Sequence, residues 1–152
     1  MRFSHKEFRE LAWKHGMAAT HQRKVIFEAV VAAPGHYSPE QIYAVVKRRI
    51  PSVSLATIYN NLRLFVEKGL LREVTPHAAT LRVDGNLDSH HHLVCKRCKT
   101  VQDITGDFVT GKFVDFKRLA RQAPGGFDLT EPLIEVFGLC PRCSDKNVRT
   151  TS

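Results

Sequence analysis

Two kinds of metal-binding side chain stand close together between Asp84 and Asp103. Cys95 and Cys98 form a Cys-x-x-Cys pair, and soft thiolates of this kind suit a closed, tetrahedral zinc site. The three histidines at residues 90–92 and the two aspartates offer nitrogen and hard oxygen donors. Such donors suit Fe²⁺, Mn²⁺ or Zn²⁺ at a more open, more exchangeable site. The stretch therefore predicts two metals, of which one holds the fold and the other is sensed.

Every cysteine of the chain belongs to such a pair, because Cys140 and Cys143 repeat the spacing of Cys95 and Cys98. Four thiolates complete a structural zinc site, which would fasten the last strand to the start of its domain. A redox switch and a thioredoxin-like dithiol are the alternatives. A thioredoxin-like protein, however, needs only one such pair, in a different fold.

The histidines are a less specific signal than the cysteines, because exposed histidine clusters also occur without a function. If residues 90–92 are extended, His90 and His92 point one way and His91 the other. Asp103, on a neighbouring predicted strand, can then reach the side of His90 and His92. His36 lies in a predicted loop, where a lone histidine is usually only a surface residue.

Bulk composition favours a folded, nucleic-acid-binding protein. With 43% hydrophobic residues the chain can bury a core, and a net charge of +8 favours a polyanionic partner. No apolar run approaches the roughly 20 residues that cross a bilayer. The N-terminus also lacks the apolar core of a signal peptide. We therefore expect a cytoplasmic protein with no membrane partner, in which cysteines serve as metal ligands more readily than as disulfides.

The elements that must position these groups form two domains of an α/β (α+β) fold. Helices followed by a β-hairpin predict a winged helix-turn-helix over residues 1–83, then a hinge over 84–88 and a small α/β domain over 89–152. The N-terminal elements are a helix over 3–15, helices that begin after Thr20, Ser38 and Ser54, and strands over 70–74 and 80–83. The C-terminal elements are strands over 92–95 and 100–104, a helix over 107–122, and strands over 127–130 and 133–137.

The fourth helix has the composition of a DNA-recognition helix. One face is apolar and comprises Leu55, Ile58, Leu62, Phe65 and Val66. The other face carries small side chains, amides and one arginine, which fit a major groove where Asn pairs with adenine. An ordinary solvated face is the alternative. The residues assigned to DNA contact are Ala56, Thr57, Tyr59, Asn60, Asn61 and Arg63 on this helix, with Lys14 and Arg23 near phosphates.

Several of these segments stand in the order found in the ferric uptake regulator (Fur) family. They are residues 56–62 (Ala-Thr-Ile-Tyr-Asn-Asn-Leu), 82–84 (Arg-Val-Asp), His90-x-His92-x-x-Cys95-x-x-Cys98, Asp103 and Cys140-x-x-Cys143. The chain resembles that family over essentially its whole length. The resemblance implies a homodimeric, metal-dependent repressor of double-stranded operator DNA, not an enzyme. It makes the small α/β domain over 89–152 the dimerisation domain. It implies structural Zn²⁺ on the cysteines, and regulatory Fe²⁺ or Mn²⁺ at His36, Asp84, His90, His92 and Asp103.

Asp84 stands where iron-sensing members of the family typically carry Glu, so the chain resembles the peroxide-sensing branch, as do residues 59–63. This implies a peroxide-stress sensor that releases DNA when iron catalyses oxidation of His36 or His90. Residues 18–23 match the usual Arg-x-Thr-x-x-Arg signature only loosely. An iron, manganese or zinc uptake regulator that does not sense peroxide is the alternative. A zinc-dependent hydrolase and a zinc-ribbon adaptor that binds no DNA are alternatives from other classes.

Overall fold

The computed structural model describes residues 3–32, 35–74, 81–88, 90–104, 121–122, 125 and 134–144. The chain divides into two compact units, Met1–Asp88 and Ser89–Ser152. Residues 121–122 are helical, whereas the rest of the helix predicted over 107–122 and the strand predicted over 127–130 lie outside the described residues. The assignment of residues 84–88 to a hinge stays a prediction.

Four helices make up most of the first unit, and each begins where a side chain caps it. They are α1 (His5–Lys14), α2 (His21–Val31), α3 (Pro39–Val46) and α4 (Leu55–Glu67). The cap residues are Ser4, Thr20, Ser38 and Ser54, and each accepts a hydrogen bond from a backbone N–H in the first turn. A side chain that satisfies such an N–H stabilises the helix by about 1 kcal/mol. The helix starts predicted after Thr20, Ser38 and Ser54 are therefore confirmed.

Aromatic and aliphatic side chains from all four helices form the core of the first unit. Phe27 of α2 packs edge-on against Phe65 of α4, with ring centroids 5.5 Å apart, and also contacts Phe8 of α1, with ring centroids 6.0 Å apart. Burying each such ring removes it from water and contributes roughly 1.5–3 kcal/mol. The core therefore holds α4 on α2 through its inner face.

A short hairpin follows α4. Strands β1 (Arg72–Val74) and β2 (Arg82–Asp84) are antiparallel, with Arg72 opposite Asp84. Tyr37, in the loop before α3, forms a bridge to Val83 through backbone hydrogen bonds of 3.3 and 3.2 Å. This bridge brings the loop that carries His36 alongside the end of β2. Helices followed by a hairpin confirm the predicted winged helix-turn-helix.

The second unit contains a mixed sheet in its described part. Its strands are β3 (His91–Cys95), β4 (Val101–Ile104) and β5 (Glu135–Gly138), in the order β4-β3-β5. β3 is antiparallel to β4 and parallel to β5. The strands predicted near 92–95, 100–104 and 133–137 are therefore confirmed, and so is the mixed α/β class. Within the described ranges, no helix is long and apolar enough to span a bilayer.

Candidate metal centres and DNA-binding surface

The four cysteines meet at one end of the sheet in the second unit. Cys95 is the last residue of β3 and lies beside Gly138 of β5. The turns that follow these two strands therefore place all four cysteines at the same end of the sheet. The four sulfur atoms lie within 4.8 Å of one another. The sulfurs of Cys98 and Cys140 are 3.6 Å apart, much longer than the about 2 Å of a disulfide. Two sulfurs that bind one tetrahedral zinc are about 3.8 Å apart, so the spacing suits zinc.

Local hydrogen bonds lower the pKa of two of these thiols, and burial raises the pKa of a third. The N–H of Cys140 donates to the sulfur of Cys95 at 3.4 Å, and this bond is the main reason that the pKa of Cys95 falls to about 5. Thr100 lies 3.2 Å from the sulfur of Cys98 and lowers its pKa. The pKa of Cys143 rises to about 12, first because it is buried and then because the other thiols crowd it.

This set of donors fits a metal site better than it fits a metal-free thiol cluster. Thiolates at this spacing repel one another. A divalent cation would offset that repulsion and favour deprotonation of Cys143. The chemistry of the donors therefore agrees with structural zinc. Thr100 is a neighbour of the site that sequence reasoning missed, because its role depends on the tight turn after Cys98.

Two of the predicted regulatory ligands lie side by side in the first unit. His36 and Asp84 are both buried, and Nε2 of His36 is 3.2 Å from Oδ2 of Asp84. The Tyr37–Val83 bridge aligns their two segments, and Arg82 donates to the carbonyl of His36 at 3.2 Å. The other Asp84 oxygen accepts from the N–H of Asn86 at 2.8 Å. The carboxylate is therefore held in one orientation.

The other three predicted ligands converge in the second unit. His90 and His92 are buried, and their Nε2 atoms are 3.0 Å apart. The antiparallel register places Asp103 opposite His92, with its Oδ1 3.6 Å from Nε2 of His90 and 4.0 Å from Nε2 of His92. His91 lies on the other side of β3, where its Nδ1 accepts from the N–H of Ile134 at 3.4 Å.

The closest pair of donor atoms in each group has a spacing that is compatible with binding one cation. Two donor atoms about 2.1 Å from a metal and at a right angle are about 3 Å apart. The distances of 3.2 Å in the first unit and 3.0 Å in the second are close to that value. The mixture of imidazole and carboxylate suits Fe²⁺, Mn²⁺ or Zn²⁺. Neither group alone supplies the full set of ligands that such an ion requires.

The exposed face of α4 differs in two places from the predicted one. Asn61 was expected to face DNA, but it is only 9% exposed. Its Nδ2 donates to the carbonyl of Thr57 at 2.7 Å, and its Oδ1 accepts from Nε of Arg23 at 3.3 Å. Leu55 was expected on the buried face, but it is 37% exposed because it begins the helix, beyond the edge of the core. The wheel position of Asn61 was therefore misleading, because α2 packs against that part of α4.

The remaining residues assigned to DNA contact lie at the surface of the first unit. Ala56, Asn60 and Arg63 are exposed on α4, and Thr57 and Tyr59 are partly exposed there. Lys14 is exposed at the end of α1, and Arg23 is partly exposed in the first turn of α2. Arg23 also donates to the carbonyl of Ala18 at 2.8 Å, so Asn61 and Ala18 together fix the guanidinium.

A winged helix with an amide-bearing fourth helix, a four-cysteine cluster and buried His/Asp groups define a metal-binding protein of the winged-helix class. Residues 14–116 match the ferric uptake regulator family. The chain belongs to this family, whose members are metal-responsive transcription regulators and not enzymes. Family membership therefore excludes the zinc-dependent hydrolase.

Individual relatives agree with this assignment. The peroxide-responsive repressor PerR of Staphylococcus aureus is 33% identical over 131 residues, which cover 86% of this chain and 85% of that protein. A zinc-bound manganese uptake regulator superposes with a TM-score of 0.66 at 25% identity, covering 88% of this chain and 98% of its own. The ferric uptake regulator Fur of Helicobacter pylori has the same fold, with a TM-score of 0.72 at 16% identity and coverage of 91% and 89%.

Proposed function

We propose that this protein is a cytoplasmic repressor whose affinity for operator DNA depends on a bound divalent metal. The observation that carries the proposal is the distribution of the buried His/Asp ligands. His36 and Asp84 belong to the unit that bears α4, whereas His90, His92 and Asp103 belong to the other unit. One metal bound by both groups would couple the two units. Structural Zn²⁺ would remain on the cysteines.

Such coupling can switch DNA binding in a dimer. Regulators of this family bind DNA as dimers, and two recognition helices must match half-sites about one DNA turn apart. A ligand set that is complete only in the DNA-competent arrangement favours that arrangement. A differential binding energy of about 5.5 kcal/mol would move the population from 1:99 to 99:1. Fe²⁺ or Mn²⁺ suits this role, because imidazole and carboxylate donors retain both ions.

The described edge of the sheet supports homodimer formation. Val136, Phe137 and Leu139 are exposed along β5 and after it, and Phe137 is 53% exposed. Among the described strands β5 pairs with β3 only, so its second edge faces no described strand. An exposed apolar strand of this kind can pair with another chain. Two copies related by a twofold axis would join these edges antiparallel.

The surface of α4 supports direct reading of the operator. We expect Asn60→Ala to cost about 1–3 kcal/mol on the preferred sequence and to relax preference at one base pair. Arg63→Ala should weaken binding to all duplexes evenly and reduce the salt slope by about one, as loss of a phosphate contact does. Both effects are measurable by selecting duplexes from a random library and then measuring the affinity for the selected duplexes at several salt concentrations.

Arg97→Ala is the matched control for Arg63→Ala, because it removes the same charge from an exposed position in the other unit. If a folded Asn60→Ala protein keeps the wild-type sequence preference, Asn60 does not contact a base and other residues read the operator. DNA binding through phosphate contacts weakens steeply as the salt concentration rises. If the wild-type protein shows no such salt-dependent binding to any duplex, the zinc-ribbon adaptor becomes the better description.

We further propose that the repressor senses hydrogen peroxide through its own ligands. The 33% identity to a peroxide-responsive repressor and the aspartate at position 84 support this proposal. Fe²⁺ held by these histidines and aspartates would supply the redox chemistry for peroxide to oxidise a ring carbon of His36 or His90, with one oxygen added to the ring and the other released as water. An oxidised imidazole is a poor ligand, so the site loses its metal and repression ends. The zinc-bound cysteines should be spared at low dose.

Brief exposure to peroxide followed by peptide mass spectrometry tests this proposal. We expect one added oxygen on the peptide that contains His36 or His90 in the Fe²⁺ form, and none in the Mn²⁺ form. His21 is an internal control, since it is exposed and outside every ligand group. Oxidation confined to cysteines, or no oxidation with Fe²⁺, would instead favour a metal uptake regulator without peroxide sensing.

A further inference from the structure

An exposed hydrogen bond joins the recognition helix to the helix before it. The hydroxyl of Tyr59 on α4 donates to Oε1 of Glu40 on α3 at 2.7 Å. A bond of this length to a carboxylate is among the stronger side-chain hydrogen bonds in proteins. Glu40 lies in the first turn of α3, where the N-terminus of the helix also favours a negative charge. Two elements of the helix-turn-helix are therefore connected at their surface.

The charge at Glu40 calls for an explanation, because it lies beside a surface proposed to bind a polyanion. A hydrogen bond from Ser38 and then the bond from Tyr59 lower the pKa of Glu40, so it is ionised near neutral pH. A carboxylate there repels phosphates and lowers affinity for all DNA. If the side chain at position 40 served only for packing, a neutral residue could take its place without this repulsion. The bond to Tyr59 is a specific benefit that a neutral apolar residue could not provide.

The position of Tyr59 indicates what that benefit is. It lies in the N-terminal half of α4, between exposed Ala56 and Asn60 and one turn before Arg63. Residues in this part of a recognition helix contact base edges. With its hydroxyl held by Glu40, the phenol has one orientation and offers its ring, not its O–H, to a base pair. An aromatic ring makes apolar contact with the methyl group of thymine.

We propose that Glu40 is a specificity-determining positioning residue, which holds Tyr59 so that its ring reads a thymine methyl. This inference rests on the proposed function, since it requires α4 to contact DNA. Glu40 acts through Tyr59 and needs no base contact of its own. Loss of the carboxylate should therefore change which sequences are preferred, in addition to raising affinity for duplex DNA in general.

The test combines single and double variants with selection from a random duplex library. The quantity measured is the ratio of affinities for the wild-type consensus and for an unrelated duplex. We expect Glu40→Ala and Tyr59→Phe each to lower this ratio about fivefold, which is the value of one hydrogen bond. The double variant should be no worse than either single variant, because both remove the same bond. Glu40→Gln keeps an acceptor without the charge and should retain most of the ratio.

Replacing thymine by uracil at the affected position removes only the methyl group. Wild type should discriminate between the two bases, and Glu40→Ala should not. Glu67→Ala controls for net charge, since it removes an exposed acid from the far end of α4. Thermal unfolding and zinc content identify any variant that fails to fold.

Each outcome decides between the proposals. If Glu40→Ala keeps the wild-type ratio, or if its effect adds to that of Tyr59→Phe, the positioning role is wrong and Glu40 is only a repulsive charge. The affinity ratio could also fall as far in Glu40→Gln as in Glu40→Ala. That result would contradict the positioning role, because it would show that the charge of Glu40 matters and its hydrogen bond does not. If wild-type protein selects no sequence at all, the proposed DNA-binding function fails instead.

Discussion

The Cys140→Ser protein is expected to contain no zinc and to lose the fold of the second unit. All four cysteines of the chain are committed to one cluster, so no substitute ligand exists among them. Structural zinc contributes about 10–16 kcal/mol in small zinc domains. This is comparable to the roughly 5–15 kcal/mol by which whole domains are typically stable. Zinc on the cluster would also fasten the end of β5 to the end of β3, so the β5 surface proposed for dimer formation should be lost with it.

Metal analysis, circular dichroism and sedimentation measure this outcome directly. Cys95→Ser should behave in the same way, and the mutants should be monomeric or aggregated. Lys96→Ser is the matched control, because it lies in the same turn, is exposed and provides no sulfur. Dimeric mutants that retain one zinc per chain would show that the cysteines do not form a structural zinc site.

The second large effect concerns the regulatory metal. Asp84→Ala should abolish metal-activated operator binding, with at least about a hundredfold loss of affinity in the presence of Fe²⁺ or Mn²⁺. Its zinc content should be unchanged, because Asp84 lies outside the cysteine cluster and in the other unit. His92→Ala should act in the same way. His92 is fully buried, so its removal also leaves a cavity that can lower stability.

Asp84→Asn separates loss of the metal from loss of structure. The amide oxygen can still accept from the N–H of Asn86, but it is a weaker ligand than a carboxylate. Asp88→Ala is the control for charge, because it removes an exposed acid from the same segment. Operator titrations with and without metal measure the effect. If the wild-type protein binds the operator with the same affinity with and without metal, the proposed metal switch is ruled out.

Local features of the fold could be predicted because they depend on neighbouring residues only. Caps at Thr20, Ser38 and Ser54 need no more than a hydroxyl three residues before a backbone N–H. The Cys-x-x-Cys spacing suits zinc wherever a turn carries it. The opposite orientations of His91 and His92 follow from the alternation of side chains in any strand.

Other features depended on segments that are distant in the sequence. Asn61 lies on the polar side of a helical wheel, but Arg23, 38 positions away, covers it. The carboxylate of Glu28 is only 2% exposed in the core of the first unit. Burial alone would raise its pKa, yet hydrogen bonds from Lys24 and Arg49 lower that pKa to about 2. A wheel describes one helix and therefore contains no information about which neighbour will pack on it.

The sequence by itself therefore determined the kinds of ligand, the class of each element that the structure describes and the membership of a family. Tertiary structure decided which ligands share a space. His36 reaches Asp84 because the bridge from Tyr37 joins two segments 48 positions apart. Asp103 lies opposite His92 only through the register of β3 and β4. Register and bridging arise from backbone hydrogen bonds between distant segments. The side-chain pattern of one segment does not specify which distant segment will pair with it.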